Sequence, residues 1–226
     1  MSAITDYYDT LGPQYDDNRF GSSYGKYIHS QELLFFHDHF TVPPSGPVID
    51  LGCGTGRFLQ FATDGIDFSE GMLDVARAKF PDKTLTAGDI TDSGLPAGAF
   101  AKAFSMHVVM HLDHRSTQDF LAEAHRLLRP GGLLLFDFPS LKRRAFGQRK
   151  ATSWHGSNAL GIAQVREWMS AGASQWELVA ARGVLFFPIH RLPVFMRRPL
   201  IWLDTLLCRS FLKEYASYVM VVIRKR

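Results

Sequence analysis

The run Val48-Ile49-Asp50-Leu51-Gly52-Cys53-Gly54-Thr55-Gly56 constrains this chain more than any other stretch. An apolar strand signal leads straight into three glycines spaced two apart. Phe58, Leu59, Phe61 and Ala62 follow, so the pattern predicts a strand, a tight glycine turn and a short helix of about two turns. Such a junction is where an open α/β sheet binds its ligand. Glycines supply positive φ and let a ligand approach the main chain, while a helix starting there offers unpaired N–H groups to a negative group. The spacing is G-x-G-x-G, not the G-x-G-x-x-G of dinucleotide folds, and an acid stands two positions before the first glycine. A cofactor other than a nicotinamide is expected.

The strand-then-helix order recurs. Strand signals at Gly65 to Phe68, Thr84 to Ala87, Ala101 to Ser105 and Leu133 to Phe138 are separated by helical periodicity at 70–80 and 115–129. The alternation predicts a doubly wound α/β fold, a mostly parallel sheet with helices on both faces. Ahead of it, residues 4–40 read as a helical cap interrupted at Gly12-Pro13 and Gly21, and TVPPSGP at 41–47 stops the last helix. Beyond Pro139 the pattern gives a helix around Ala163 to Ala171, a strand around Gln175 to Val184 and a last strand, Tyr218 to Ile223. Between those two strands lies an apolar and basic insertion, about 186–214, which Pro188, Pro193 and Pro199 break into a loop and at least one helix. No repeat or low-complexity linker divides the chain. One domain over 1–226 is expected, with its core at 47–139 and a looser segment at 140–226.

Composition narrows the function classes. At 226 residues the chain can bury roughly 70% of its unfolded surface without staples. Cys53 and Cys208 lie far apart and form no CxxC, which favours neither a disulfide framework nor a zinc site. No signal peptide and no apolar run of membrane-spanning length is visible, so a cytoplasmic location is expected. The net charge of +3 hides an asymmetry: up to Pro139 there are 10 Lys and Arg against 18 Asp and Glu, beyond it 15 against 4. The acidic part speaks against wholesale nucleic-acid binding. The basic part suits phosphate, an anionic membrane surface or an acidic substrate, unless its charges simply solvate helices.

Five motifs in order, DLGCGTG, GIDFSEGMLDVAR, GDI, FSMHVVMHL and EAHRLLRPGG, resemble the class I S-adenosylmethionine-dependent methyltransferases, closest to their type 11, ubiquinone-biosynthesis-like group of small-molecule enzymes. The resemblance runs from about Val48 to Pro139 and implies a Rossmann-like, seven-stranded sheet. It also implies S-adenosylmethionine as cofactor, S-adenosylhomocysteine as product and a small-molecule acceptor between the N-terminal cap and the segment after Pro139. By the same resemblance Asp50 and the backbone of Gly52, Cys53 and Gly54 hold the methionine portion, and Asp67 takes the ribose hydroxyls as a bidentate acceptor. Phe68 packs on the adenine, Ser69 caps the next helix, Met72 forms an apolar wall, Asp89 accepts the adenine amino group and the Ile90 backbone completes recognition. Ser105 and Met106 line the methyl donor. Tyr15 and Arg19 resemble an N-terminal segment that folds over the cofactor, Arg19 pairing with the methionine carboxylate. Only about eleven positions separate Gly56 from Asp67, where the family commonly spends nearer twenty; the intervening helix must be short, with Asp64 as the substitute acceptor if Asp67 cannot reach.

Methyl transfer from a sulfonium is an in-line displacement, so alignment does most of the work and a base is optional. His107 is the first candidate base and His111 the second; the alternative is that both hydrogen-bond the backbone under the pocket. A related quinone-pathway group carries E-x-x-E-H here, but His107-Val108-Val109-Met110-His111 lacks both carboxylates, so no catalytic metal is expected. His37 and His39, two apart on a helix, point to different faces. His155 and His190 lie in the variable region. Arg191, Arg197, Arg198, Arg209 and Lys213 among Phe195, Leu200, Ile201, Trp202, Leu206 and Leu207 suit an anionic membrane surface or a lipid-linked acceptor. Nucleic acid is disfavoured, since no N-P-P-Y-like motif follows the fourth strand. A non-catalytic binding protein on the same fold and a nicotinamide oxidoreductase are the rivals from other classes. The glycine spacing and the series of acids argue against both.

Overall fold

In the computed structural model residues 21–146, 158–170 and 175–226 are described, without the side chains of His190, Val194 and Phe195. Seven strands form one sheet: β1 (Val48–Leu51), β2 (Asp64–Asp67), β3 (Thr84–Ala87), β4 (Phe100–Ser105), β5 (Leu128–Pro139), β6 (Trp176–Val184) and β7 (Tyr218–Lys225). Their spatial order is β3-β2-β1-β4-β5-β7-β6. The first five run parallel, and β7 enters antiparallel between β5 and β6. This is the expected doubly wound, mostly parallel seven-stranded sheet. The C-terminal ends of β1, β2, β4 and β5 open on one edge, the ligand-binding edge of such folds.

The helices are α1 (Ser23–His39), α2 (Glu70–Lys79), α3 (His114–Leu127), α4 (Leu141–Phe146), α5 (Ile162–Ser170) and α6 (Val194–Arg209). Side chains acting as N-caps set the first three: Ser22 accepts from Gly25 N–H, Ser69 from Met72 N–H and Asp113 from Ser116 N–H. Strand alternation divides the core in two. Ile49, Leu51, Leu134, Phe136, Val219 and Val221 face α3 and α5. Val48, Phe104, Leu135, Met220 and Val222 face α1 and α2.

Two expectations need correction. The helix after the glycine turn is absent; turns lead instead to a single 3-10 turn, Leu59–Phe61. Only residues 52–63 join β1 to β2, about the minimum for a parallel crossover, and the glycine turn consumes the first of them. The sheet face that a helix would have covered is filled by α1. Phe36 stacks on Phe58 with centroids 4.5 Å apart and meets Phe61 at 4.9 Å and Phe104 at 5.0 Å. The second correction concerns Pro199, expected to break the insertion. It lies inside α6, which continues to Arg209. The N-terminal part of the expected cap, 1–20, lies outside the described residues.

Candidate functional site

The glycine loop closes on itself. Gly52 has φ +83 and a Cβ there would lie 2.5 Å from Val108 Cγ2, so no larger residue fits. The Gly52 and Cys53 N–H groups both donate to Ile66 O, at 2.8 and 3.0 Å, and Gly56 N–H donates to Cys53 O at 2.9 Å. Gly54 N–H donates to Asp67 Oδ2 at 2.7 Å. With no helix behind the loop, the expected row of unpaired N–H donors is not there. Carboxylates converge instead. Asp50 is buried at the end of β1, and burial pushes its carboxyl well above the usual range, helped by the Asp67 charge and opposed by Arg57. No donor among the described residues is bonded to it. Asp67, also buried, takes Ser69 N–H on Oδ1 at 3.0 Å besides Gly54 on Oδ2.

Beside Asp67 the Phe68 ring is 45% exposed, a large apolar face on the open edge. Gly54 has φ +51, and a Cβ there would project into open space. Met72 is buried. Asp89 is exposed and accepts Thr91 N–H and Oγ1–H, at 2.8 and 2.7 Å, in a local turn; Ile90 beside it is buried. Ser105 donates to Leu51 O at 2.6 Å, tying the ends of β4 and β1, and Met106 joins the core on the α1 side. Cys53 is buried, and burial raises its thiol. Asp64 begins β2 and accepts from Thr63 Oγ1 at 2.6 Å, so Asp67 rather than Asp64 occupies the strand end. Tyr15, Arg19 and His155 lie outside the described residues.

His107 brings together residues that sequence reasoning did not single out. It follows β4 with φ +61, a left-handed conformation uncommon for a non-glycine residue. Its N–H donates to Asp137 Oδ1 at 2.5 Å, its Nε2 lies 2.6 Å from Glu32 Oε1 and its Nδ1 lies 3.5 Å from Asp137 Oδ2. The Tyr218 ring meets it edge-on at 5.5 Å. Glu32 also binds Arg57 at 2.7 Å. Burial alone would raise the Glu32 carboxyl; Arg57 and His107 outweigh it and hold it at about 2. Asp137 is raised by its burial, against the pull of His107. Both ring nitrogens of His107 therefore face protein carboxylates. His111 ends a 3-10 turn, Val109–His111, and its N–H donates to Val108 O at 2.8 Å.

Helix α1 also holds a second left-handed residue, this one through its backbone. Leu185, directly after β6, has φ +62, and its N–H donates to Gln31 Oε1 at 2.8 Å. Gln31 and Glu32 belong to the buried stripe Ile28, Gln31, Glu32, Phe35, Phe36. The legible signal was a carboxylate inside a helical core stripe, matched by Asp137 inside the apolar run of β5. Neither signal names its partner.

Residues 49–136 match the methyltransferase domain of family 11. The chain is 31% identical over 158 residues to a malonyl-[acyl-carrier protein] O-methyltransferase from Serratia marcescens, covering 64% of this chain and 59% of that one. It is 29% identical over 147 residues to a demethylmenaquinone methyltransferase from Symbiobacterium thermophilum, covering 57% and 56%. The chain thus spans less than two thirds of the length of these relatives. In three dimensions it resembles a methyltransferase from Thermotoga maritima, described as a possible histamine N-methyltransferase, with TM-score 0.70 over 98% of this chain and 99% of that one at 17% identity. Motif order, strand order and domain match agree: residues 49–136 are similar to the type 11 methyltransferase domain, and the sheet has the fold of S-adenosylmethionine-dependent methyltransferases.

Proposed function

We propose that this protein transfers the methyl group of S-adenosylmethionine to a small-molecule acceptor whose nucleophile arrives already deprotonated. The observation that carries the second clause is the placing of His107, a side chain only 10% exposed, with Nε2 2.6 Å from Glu32 Oε1. A base must present a nitrogen to the acceptor. His107 instead positions α1 over the strand ends. A carboxylate or a neutral amine suits such a site and a phenol does not. Relatives named for malonyl-[acyl-carrier protein] and trans-aconitate, acceptors that carry carboxylates, are in keeping with this.

When bound, the cofactor supplies a methyl group on a sulfonium, open to in-line displacement. The residues present fit it. A buried carboxylate without a bonded donor, Asp50, complements a cationic portion, and the Asp67 carboxylate at the end of β2 is a bidentate acceptor of the kind two ribose hydroxyls need. Phe68 offers the aromatic face for adenine, with Asp89 and the Ile90 backbone at its edge and Met72 as a wall. Gly52, Cys53 and Gly54 line the approach by their small bulk, and Ser105 and Met106 close it on the β4 side. Arg19 is the proposed partner of the methionine carboxylate, with Tyr15 proposed to lie over the cofactor, because the Gly52, Cys53, Gly54 and Gly56 N–H groups are engaged within the protein.

The test is turnover with panels of carboxylates, amines and phenols, wild type beside His107→Asn, since Asn tolerates the left-handed backbone. Methylation of a carboxylate or amine with an unchanged pH profile in the variant is expected. Methylation of phenols alone, with the acidic limb lost in His107→Asn, overturns the reading.

A further inference from the structure

Helix α6 is turned inside out. Its inward side carries Asp204, fully buried, whose Oδ1 accepts Phe187 N–H at 2.6 Å and whose Oδ2 accepts Tyr27 O–H at 2.9 Å and Gln31 Nε2–H at 2.7 Å. Cys208, one turn on, is buried against it. These bonds fix the rotation of the helix, because rolling it would strip a buried carboxylate of three donors. The outward stripe is Arg198, Trp202, Leu206 and Arg209, at helical spacing. Trp202 is 69% exposed, and Phe211, just past the helix, 88%. Among the described residues, half of the large exposed apolar side chains fall within 196–215. Exposed patches of that kind mark interaction surfaces.

We propose that this face of α6 docks on an anionic lipid surface. Charge selects the occupant. The stretch 186–214 carries Arg191, Arg197, Arg198, Arg209 and Lys213, a cluster of the size that binds anionic lipid. Its two acids are withdrawn, Asp204 into the core and Glu214 onto Lys142 at 2.7 Å. A second copy would bring Arg198 and Arg209 against their own equivalents, like charge on like. Apolar side chains standing out from a convex helix between arginines match the boundary of headgroups and acyl chains, where an interfacial helix lies. The surface also sits beside the acceptor side of the cleft: Tyr27 and Gln31, bonded to Asp204, are close neighbours of Glu32 on α1.

The experiment is co-sedimentation of the full chain with vesicles of phosphatidylcholine, alone or with half phosphatidylglycerol, at low and high salt. It needs no turnover, so it is independent of the proposed reaction. Sedimentation with the anionic vesicles only, lost at high salt, is expected. Arg198→Gln with Arg209→Gln lowers the partition coefficient about 30-fold, at about 1 kcal/mol per arginine. Trp202→Ser with Leu206→Ser abolishes binding, while both variants keep the wild-type melting shift with S-adenosylhomocysteine as the control for folding. No sedimentation with anionic vesicles at low salt overturns the proposal, as does sedimentation indifferent to salt. A dimer that Trp202→Ser converts to monomer, without vesicle binding, assigns the face to a second copy instead.

Discussion

Along the β1–β2–β3 edge, the acids proposed to hold the cofactor sit close in sequence, from Asp50 to Asp89, each at or just after a strand end, and local backbone turns hold Asp67 and Asp89. Along the β4–β5 edge, Glu32 and His107 meet from 75 positions apart, and Asp137 and Tyr218 join them from two further strands. The first arrangement is set by local turns and survives changes elsewhere. The second exists only once the sheet is assembled and α1 has docked. Local turns make a site that is cheap to vary, whereas an assembled polar cluster ties the β4–β5 edge to global stability.

The largest expected effect comes from breaking the assembled side. Glu32→Gln removes the buried partner of Arg57 and His107 and costs about 3 to 5 kcal/mol in a denaturant titration. The wild-type carboxyl is depressed in the fold, so its stabilising contribution is full above the ordinary 4.5 and is lost as pH falls through about 2. The variant lacks that slope; equal acid sensitivity of the two proteins would show that the cluster does not carry the stability assigned to it.

Next comes the local side. Asp67→Ala weakens S-adenosylhomocysteine binding about ten- to a hundred-fold, the equivalent of charge-assisted bonds worth about 1.5 to 3 kcal/mol. Calorimetric titration reads it, and unchanged affinity moves the ribose contact elsewhere. A smaller loss, about 2- to 10-fold, follows Phe68→Ala, from an aromatic stacking worth about 0.5 to 1.5 kcal/mol. Its exposed ring predicts an unchanged melting temperature without ligand.

The smallest effect is a proton. Asp50 has its carboxyl raised in the fold, by burial and by Asp67, and a cation placed beside it lowers it again. Binding of S-adenosylmethionine therefore releases protons and strengthens as pH rises, until the carboxyl is ionised in the free protein too. Titrations in buffers of different ionisation enthalpy measure that release; proton uptake would contradict the pairing.

Legibility followed the same division. The strand-end places of Asp50 and Asp67, the glycine turn and the Ser69 cap were readable because each lies within a few residues of a turn that the sequence spells out. The missing helix after Gly56 was half readable: the short spacing announced a contraction, but the packing of Phe36 on Phe58 that makes a 3-10 turn sufficient joins segments remote in sequence. The meeting of Glu32 and Asp137 at His107 was invisible for the same reason, since a lone carboxylate in an apolar stripe does not reveal the charge it meets. Pro199 misled because a proline amid apolar and basic residues reads as a break, whereas it lies within α6.

The central claim is the cofactor site at the ends of β1 and β2, and an equilibrium titration with S-adenosylhomocysteine, with NADH beside it, tests it most directly. At a hundred times its dissociation constant the ligand should stabilise the fold by about 2.7 kcal/mol, with NADH inert. Saturable binding of S-adenosylhomocysteine alone is the predicted result; preference for NADH, or binding of neither, contradicts the account.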